Sequence, residues 1–163
     1  MLFGEYIILR GSKSLAFPLK FGQTLEVEKS EILNWKSIAP SGAWFEAQFN
    51  ENLEITSSTS TETAEILRKI LLKIKELNPS IHLMNTFTAR ADFQLEWGLG
   101  SSSTLLSLLS QWSKTDPYTL LEASFGGSGY DIACATAPSP IIYTIEDRKV
   151  EKTELKEAIT DNF

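Results

Sequence analysis

Few of the residues that anchor metal or covalent chemistry are present. One cysteine, Cys134, and one histidine, His82, occur in 163 residues. A lone cysteine excludes an internal disulfide and suits a reducing compartment, so a cytoplasmic location is expected. A lone histidine cannot build a His-rich zinc site, and a serine charge-relay triad would have to use it. No run of about 18 apolar residues occurs, which leaves no membrane-spanning helix. Met1-Leu2-Phe3-Gly4-Glu5 shows no basic stretch and no long apolar segment, so no signal peptide is read there. Lys and Arg total 15 against 21 Asp and Glu, a net charge of −6. Such a chain is a poor general binder of nucleic acid or of an anionic membrane. A polyanionic ligand must be met locally, by backbone N–H groups, one or two cationic side chains, or a metal.

What remains is an ordinary globular composition. Hydrophobic residues make up 42%, and 9 Gly with 6 Pro are too few for a collagen-like or low-complexity chain. A chain of this size buries roughly 70% of its unfolded surface and can hold a real core. No repeat and no Pro- or Gly-rich linker divides it, so residues 1–163 are expected to form a single domain.

The first third predicts strands and turns: Glu5 to Arg10, Ser14 to Pro18, Thr24 to Glu28, and Trp44 to Phe49 after a Pro40-Ser41-Gly42 turn. Thr59 and Glu62 have capping-box spacing. Ile66, Ile70, Ile74 and Leu77, joined by Leu67 and Leu71, form a helical stripe that Asn78-Pro79 stops. Ile81 to Trp97 is β-prone, Ser101 to Trp112 is helical, and Asp116-Pro117 starts a further helix. Pro140 to Ile145 is a strand, Glu146 to Lys149 a turn, and Val150 begins another short extended piece. Strands without intervening helices at the start favour an α+β fold.

Two segments carry candidate chemistry. In Trp97-Gly98-Leu99-Gly100-Ser101-Ser102-Ser103-Thr104, two glycines let the backbone turn sharply and approach a ligand. Hydroxyl residues then open a helix whose first N–H groups lack intrahelical partners, a place that suits a phosphate. Serine hydroxyls can also ligate Mg²⁺. This is not the Walker pattern, because no Gly-Lys-Ser/Thr follows. The plain alternative is a strand-to-helix turn with serine caps, although one cap needs only one serine. In Phe125-Gly126-Gly127-Ser128-Gly129-Tyr130-Asp131-Ile132-Ala133-Cys134-Ala135, three glycines deliver an aspartate at the edge of an apolar stretch. That carboxylate could accept a proton from a substrate hydroxyl or meet a cation. The alternative is a glycine C-cap followed by an aspartate N-cap.

Taken together, the segments resemble the GHMP kinases, the family of galactokinase, homoserine kinase, mevalonate kinase and phosphomevalonate kinase. Gly98-Leu99-Gly100-Ser101-Ser102-Ser103 resembles the family's phosphate loop. Gly4-Glu5-Tyr6 through Gly11, followed by Ser14-Leu15-Ala16, resembles its first motif. Gly127-Ser128-Gly129-Tyr130-Asp131 resembles the Ser-Gly-x-Asp element of the mevalonate and phosphomevalonate kinase branch, and Gly129-Tyr130-Asp131-Ile132-Ala133 looks like the signature of the bacterial GYDIA subgroup. These motifs span residues 4–134 in order.

The resemblance implies an N-terminal kinase domain with a ribosomal protein S5 domain 2-like fold, a mixed sheet packed by helices. It implies ATP and Mg²⁺ as cofactors and a mevalonate- or phosphomevalonate-like acceptor as the small-molecule partner. Gly98, Leu99, Gly100, Ser101, Ser102 and Ser103 would hold the ATP phosphates. Ser102 would ligate Mg²⁺, with Ser101 and Ser103 as alternatives. Asp131 matches the family's base or orienting carboxylate. Glu122 is the nearest candidate for the carboxylate that completes the Mg²⁺ site, at a shorter spacing than in mevalonate kinase. Glu5, Ser12 and Gly129 would face substrate or nucleotide.

The chain departs from the family pattern. The Gly-Lys pair upstream of the first motif is missing, and no glycine follows Gly129, so the late glycine-rich loop is missing too. The chain therefore reads as the N-terminal domain of such a kinase, clipped at both ends, with weak or no turnover expected by itself. A non-catalytic nucleotide-binding or interaction module that kept the fold is the alternative. A hydrolase using one of the serines with His82 is a third reading.

Overall fold

Alternation of apolar and polar side chains organises the first half of the computed structural model, which describes residues 8–153. β2 (Gln23–Lys29), β3 (Leu33–Ala39), β4 (Gly42–Phe49), β5 (Ile55–Ser58) and β6 (Asn85–Ala91) form one sheet in the order β2-β6-β3-β4-β5. Neighbours are antiparallel except β3 and β6, which are parallel. Parallel neighbours need a crossover, and α1 (Thr61–Leu77) lies in the connection from β5 to β6. Leu33, Trp35, Phe45, Phe49 and Phe87 on one face are at most 3% exposed. Each such burial contributes about 1.5–3 kcal/mol. The opposite face is polar, with Glu26, Thr88, Lys36 and Glu46 side by side across four strands.

Three helices complete this unit, which comprises Phe21–Phe125. α1 buries Ala64, Leu67, Ile70, Leu71 and Ile74. Leu77, expected in its apolar stripe, is instead 44% exposed at the helix end. The N-cap is Ser60, not Thr59: Ser60 Oγ accepts from Thr63 N–H at 3.3 Å. Thr59 is taken by β4, where its hydroxyl accepts from Glu46 N–H at 3.0 Å. α2 (Ser101–Ser113) and α3 (Pro117–Ala123) pack on each other, and α2 also packs on β2. Asp116 caps α3 as expected, its carboxylate accepting from Thr119 N–H at 2.8 Å.

The other described residues, 8–20 and 126–153, form a second compact unit. β1 (Ser14–Ala16), β7 (Ile141–Thr144) and β8 (Lys149–Lys152) make an antiparallel sheet in the order β1-β7-β8. α4 (Tyr130–Ala135) places Cys134 in a small core with Ala16 and Ile141. The strand expected over Glu5 to Arg10 is not formed where it is described. Ile8–Arg10 is a short 3-10 turn, closed by the N–H of left-handed Gly11 on the Ile8 carbonyl at 3.0 Å. Ile8 is buried while Leu9 is 66% exposed, so the glycine turn overrides the apolar run. The molecule is thus α+β, with a mixed sheet packed by helices. Among the described residues no helix is long and apolar enough to cross a membrane.

Candidate functional site

The loop before α2 is built by two left-handed glycines. After β6 a helical turn, Leu95–Trp97, ends at Gly98 with φ 66°, and Gly100 caps α2 with φ 74°. An L-residue pays about 1–2 kcal/mol for that conformation, whereas glycine does not. The first rung of α2 runs from Thr104 N–H to the Gly100 carbonyl at 3.0 Å. The N–H groups of Ser101, Ser102 and Ser103 therefore have no intrahelical partner. A glycine cap also offers them no side-chain acceptor. The positive end of the helix dipole lies at the same place.

The three serines separate in space. Ser101 and Ser102 are half-buried, as are Leu99 and Gly100. Ser103 is 6% exposed and falls in register with the buried Ser107 and Ser110, so it belongs to the face on which α2 packs. Opposite the loop, Gln23 Nε2 donates to the Ser101 carbonyl at 2.7 Å and to Thr104 Oγ1 at 2.8 Å.

Ser101 and Ser102 line a cavity of about 250 Å³ between the apolar face of the sheet and helices α1 and α2. Trp35, Phe45, Ile66, Leu67, Ile70 and Leu105 give it apolar walls, and Trp44 and Phe125, each 45% exposed, also line it. Its polar wall residues are Gln23, Ser37, Thr63, Ser101 and Ser102, with no carboxylate among them. Thr63 lies in the first turn of α1, so the first turns of two helices border one cavity. Such walls suit a ligand with an apolar body and an anionic end. The Ser102 hydroxyl supplies an oxygen donor of the kind Mg²⁺ takes, but the cavity does not supply the accompanying carboxylate. Glu122 is exposed on α3. Among the described residues no group of three or more His, Cys, Asp or Glu side chains converges.

In the second unit, Gly126, Gly127 and Gly129 have φ of 66°, 102° and 77°. The fully buried Tyr143 donates its hydroxyl to the Ser128 carbonyl at 2.7 Å and ties this loop to β7. Gly129 is the N-cap of α4, so Asp131 lies one position inside the helix start rather than at the cap. Asp131 is half-buried. Burial first, then the neighbouring Asp131 charge, pushes the Cys134 thiol up to about 11. Ser12 Oγ is buried without a hydrogen-bond partner among the described residues. Glu5 lies outside the described residues. His82 is exposed ahead of β6 and is not part of the cavity wall, which gives a serine–histidine hydrolase no support here.

The structure thus gathers Gly98, Leu99, Gly100, Ser101 and Ser102 at one site and turns Ser103 away. Thr104, the last hydroxyl residue of the segment read from the sequence, joins them, and so do Gln23 and Thr63, which were not read from it. Gln23 sits at the start of a strand and carries no motif; the signal for Thr104 was its place one turn after Gly100. Compared with protein-family models, with curated proteins and with solved structures, the chain shows no match.

Proposed function

We propose that this chain is the nucleotide-binding part of an ATP-dependent kinase of the GHMP type, acting on a mevalonate- or phosphomevalonate-like acceptor. The fold assigned with it is the ribosomal protein S5 domain 2-like fold. The observation that carries the reading is the opening of α2, after Gly98 and Gly100, onto an apolar-walled cavity lined by Ser101 and Ser102. In this reading the Ser101, Ser102 and Ser103 amides take the phosphate oxygens, and the apolar walls take the purine. Phosphoryl transfer asks mainly for positioning and charge compensation, which amides and hydroxyls supply without a basic surface. Mg²⁺, when bound, neutralises charge on the phosphate oxygens. Ser102 would be its hydroxyl ligand; Glu122, the carboxylate candidate, is exposed on α3 and outside the cavity wall. Asp131 accepts the acceptor's hydroxyl proton or orients that hydroxyl. Ser12, Gly129 and Glu5 are assigned to the substrate side.

Calorimetric titration of the chain with ATP, with and without Mg²⁺, tests the nucleotide part. Saturable binding tightened by Mg²⁺ is expected. Ser102→Ala should weaken Mg·ATP binding about fivefold, as loss of one polar contact does. No binding in either condition contradicts the reading. Tight binding alone is shared with a non-catalytic nucleotide-binding module; ADP release in the presence of such an acceptor favours the kinase over that module.

A further inference from the structure

We propose that Gln23 is a positioning residue that aims the phosphate-binding amides of α2. The inference rests on the nucleotide reading above and names the side chain that sets its geometry. Gln23 is the first residue of β2, where the ladder pairs it with Ala91 of β6. From this fixed base its side-chain nitrogen reaches the Ser101 carbonyl at 2.7 Å and Thr104 Oγ1 at 2.8 Å. An amide nitrogen carries two hydrogens, so these contacts use both. Thr104 Oγ1 in turn stands 3.1 Å from the Ser101 carbonyl and 3.3 Å from the Gly100 carbonyl, to either of which it can donate.

Peptide planarity converts these carbonyl contacts into amide directions. Across a trans peptide the C=O and the next N–H point in opposite directions. Holding the Ser101 carbonyl therefore holds the Ser102 N–H, and holding the Gly100 carbonyl holds the Ser101 N–H. These are two of the three free amides at the start of α2. A loop with left-handed glycines at 98 and 100 has wide backbone freedom when unrestrained. The Gln23–Thr104 side-chain pair adds to the backbone rung from Thr104 N–H to the Gly100 carbonyl in restricting that freedom. It does so with a neutral donor, which adds no negative charge beside an anion. Gln23 also lines the cavity that Ser101 and Ser102 border, so the clamp acts at the ligand's own wall.

Amide resonances of the ¹⁵N-labelled full chain, titrated with tripolyphosphate and separately with Mg·ATP, test this. The wild type is expected to show saturable shifts at Ser101 and Ser102. Gln23→Met keeps the side-chain length, removes both donors, and should weaken binding about tenfold while the melting temperature stays near the wild-type value. Thr104→Val should weaken it about threefold, with the change concentrated at the Ser101 amide, and Thr104→Ser should restore wild-type affinity. A structural role alone would move the melting temperature and not this amide pattern. If Gln23→Met does not fold, the Val and Ser replacements of Thr104 decide: equal affinities overturn the proposal. Wild-type shifts with unchanged affinity in Gln23→Met overturn the positioning role and leave the nucleotide reading standing. No wild-type shift with either probe overturns both.

Discussion

Ser101, Ser102 and Ser103 share one side chain and adjoin in sequence, yet helical geometry gives them different work. A rotation of about 100° per residue carries Ser103 onto the buried face that Ser107 and Ser110 continue. The signal was available as a spacing of four and then three. It went unread because periodicity is sought among apolar residues, and serine is not one. Cys134 shows a second residue-scale effect. Its thiol is held neutral by burial, with a pKa of about 11 against an ordinary 9.0. The folded state keeps its proton where the unfolded chain loses it, so this contribution is present in full below about pH 9. It disappears as the pH rises toward about 11. Urea unfolding of the wild type should therefore weaken more steeply between pH 9 and 11 than that of Cys134→Ala. Parallel slopes contradict the assignment.

At the scale of elements, caps decide what the sequence could disclose. Asp116 before Pro117 marked the start of α3 correctly, because aspartate at the cap and proline at the first position act locally. Asp116→Ala removes the acceptor for Thr119 N–H and its hydroxyl. It should cost about 0.5–2 kcal/mol in urea unfolding, and no loss would show that α3 is held by packing alone. Where a cap depends on distant contacts, local reading failed. Thr59 has the capping-box spacing, but β4 claims its hydroxyl and Ser60 takes the cap. β3 was missed for a related reason. It lies in the middle of the sheet, and its parallel pairing with β6 depends on residues about 50 positions away. The short turn at Ile8–Arg10 was likewise set by Gly11, against a run that reads as strand.

For the whole molecule, charge and site chemistry have to be reconciled. A chain of net charge −6 repels a polyanion at long range. At physiological ionic strength that repulsion is screened beyond about 8 Å, so donors at the site decide binding. The start of α2 has such donors in its free amides, and the cavity beside it gives an apolar body somewhere to go. The phosphate loop was legible because two glycines and a serine run are local features. The cavity was not, because Trp35, Thr63 and Ile70 come together only through the crossover that brings α1 over the sheet.

The most direct measurement is a crystal structure of the chain grown with Mg²⁺ and a non-hydrolysable ATP analogue. Density for the phosphates against the Ser101 and Ser102 amides, with the base in the cavity lined by Trp35 and Ile70, is the expected result. Nucleotide bound elsewhere on the chain, or an empty loop at saturating analogue, would contradict it.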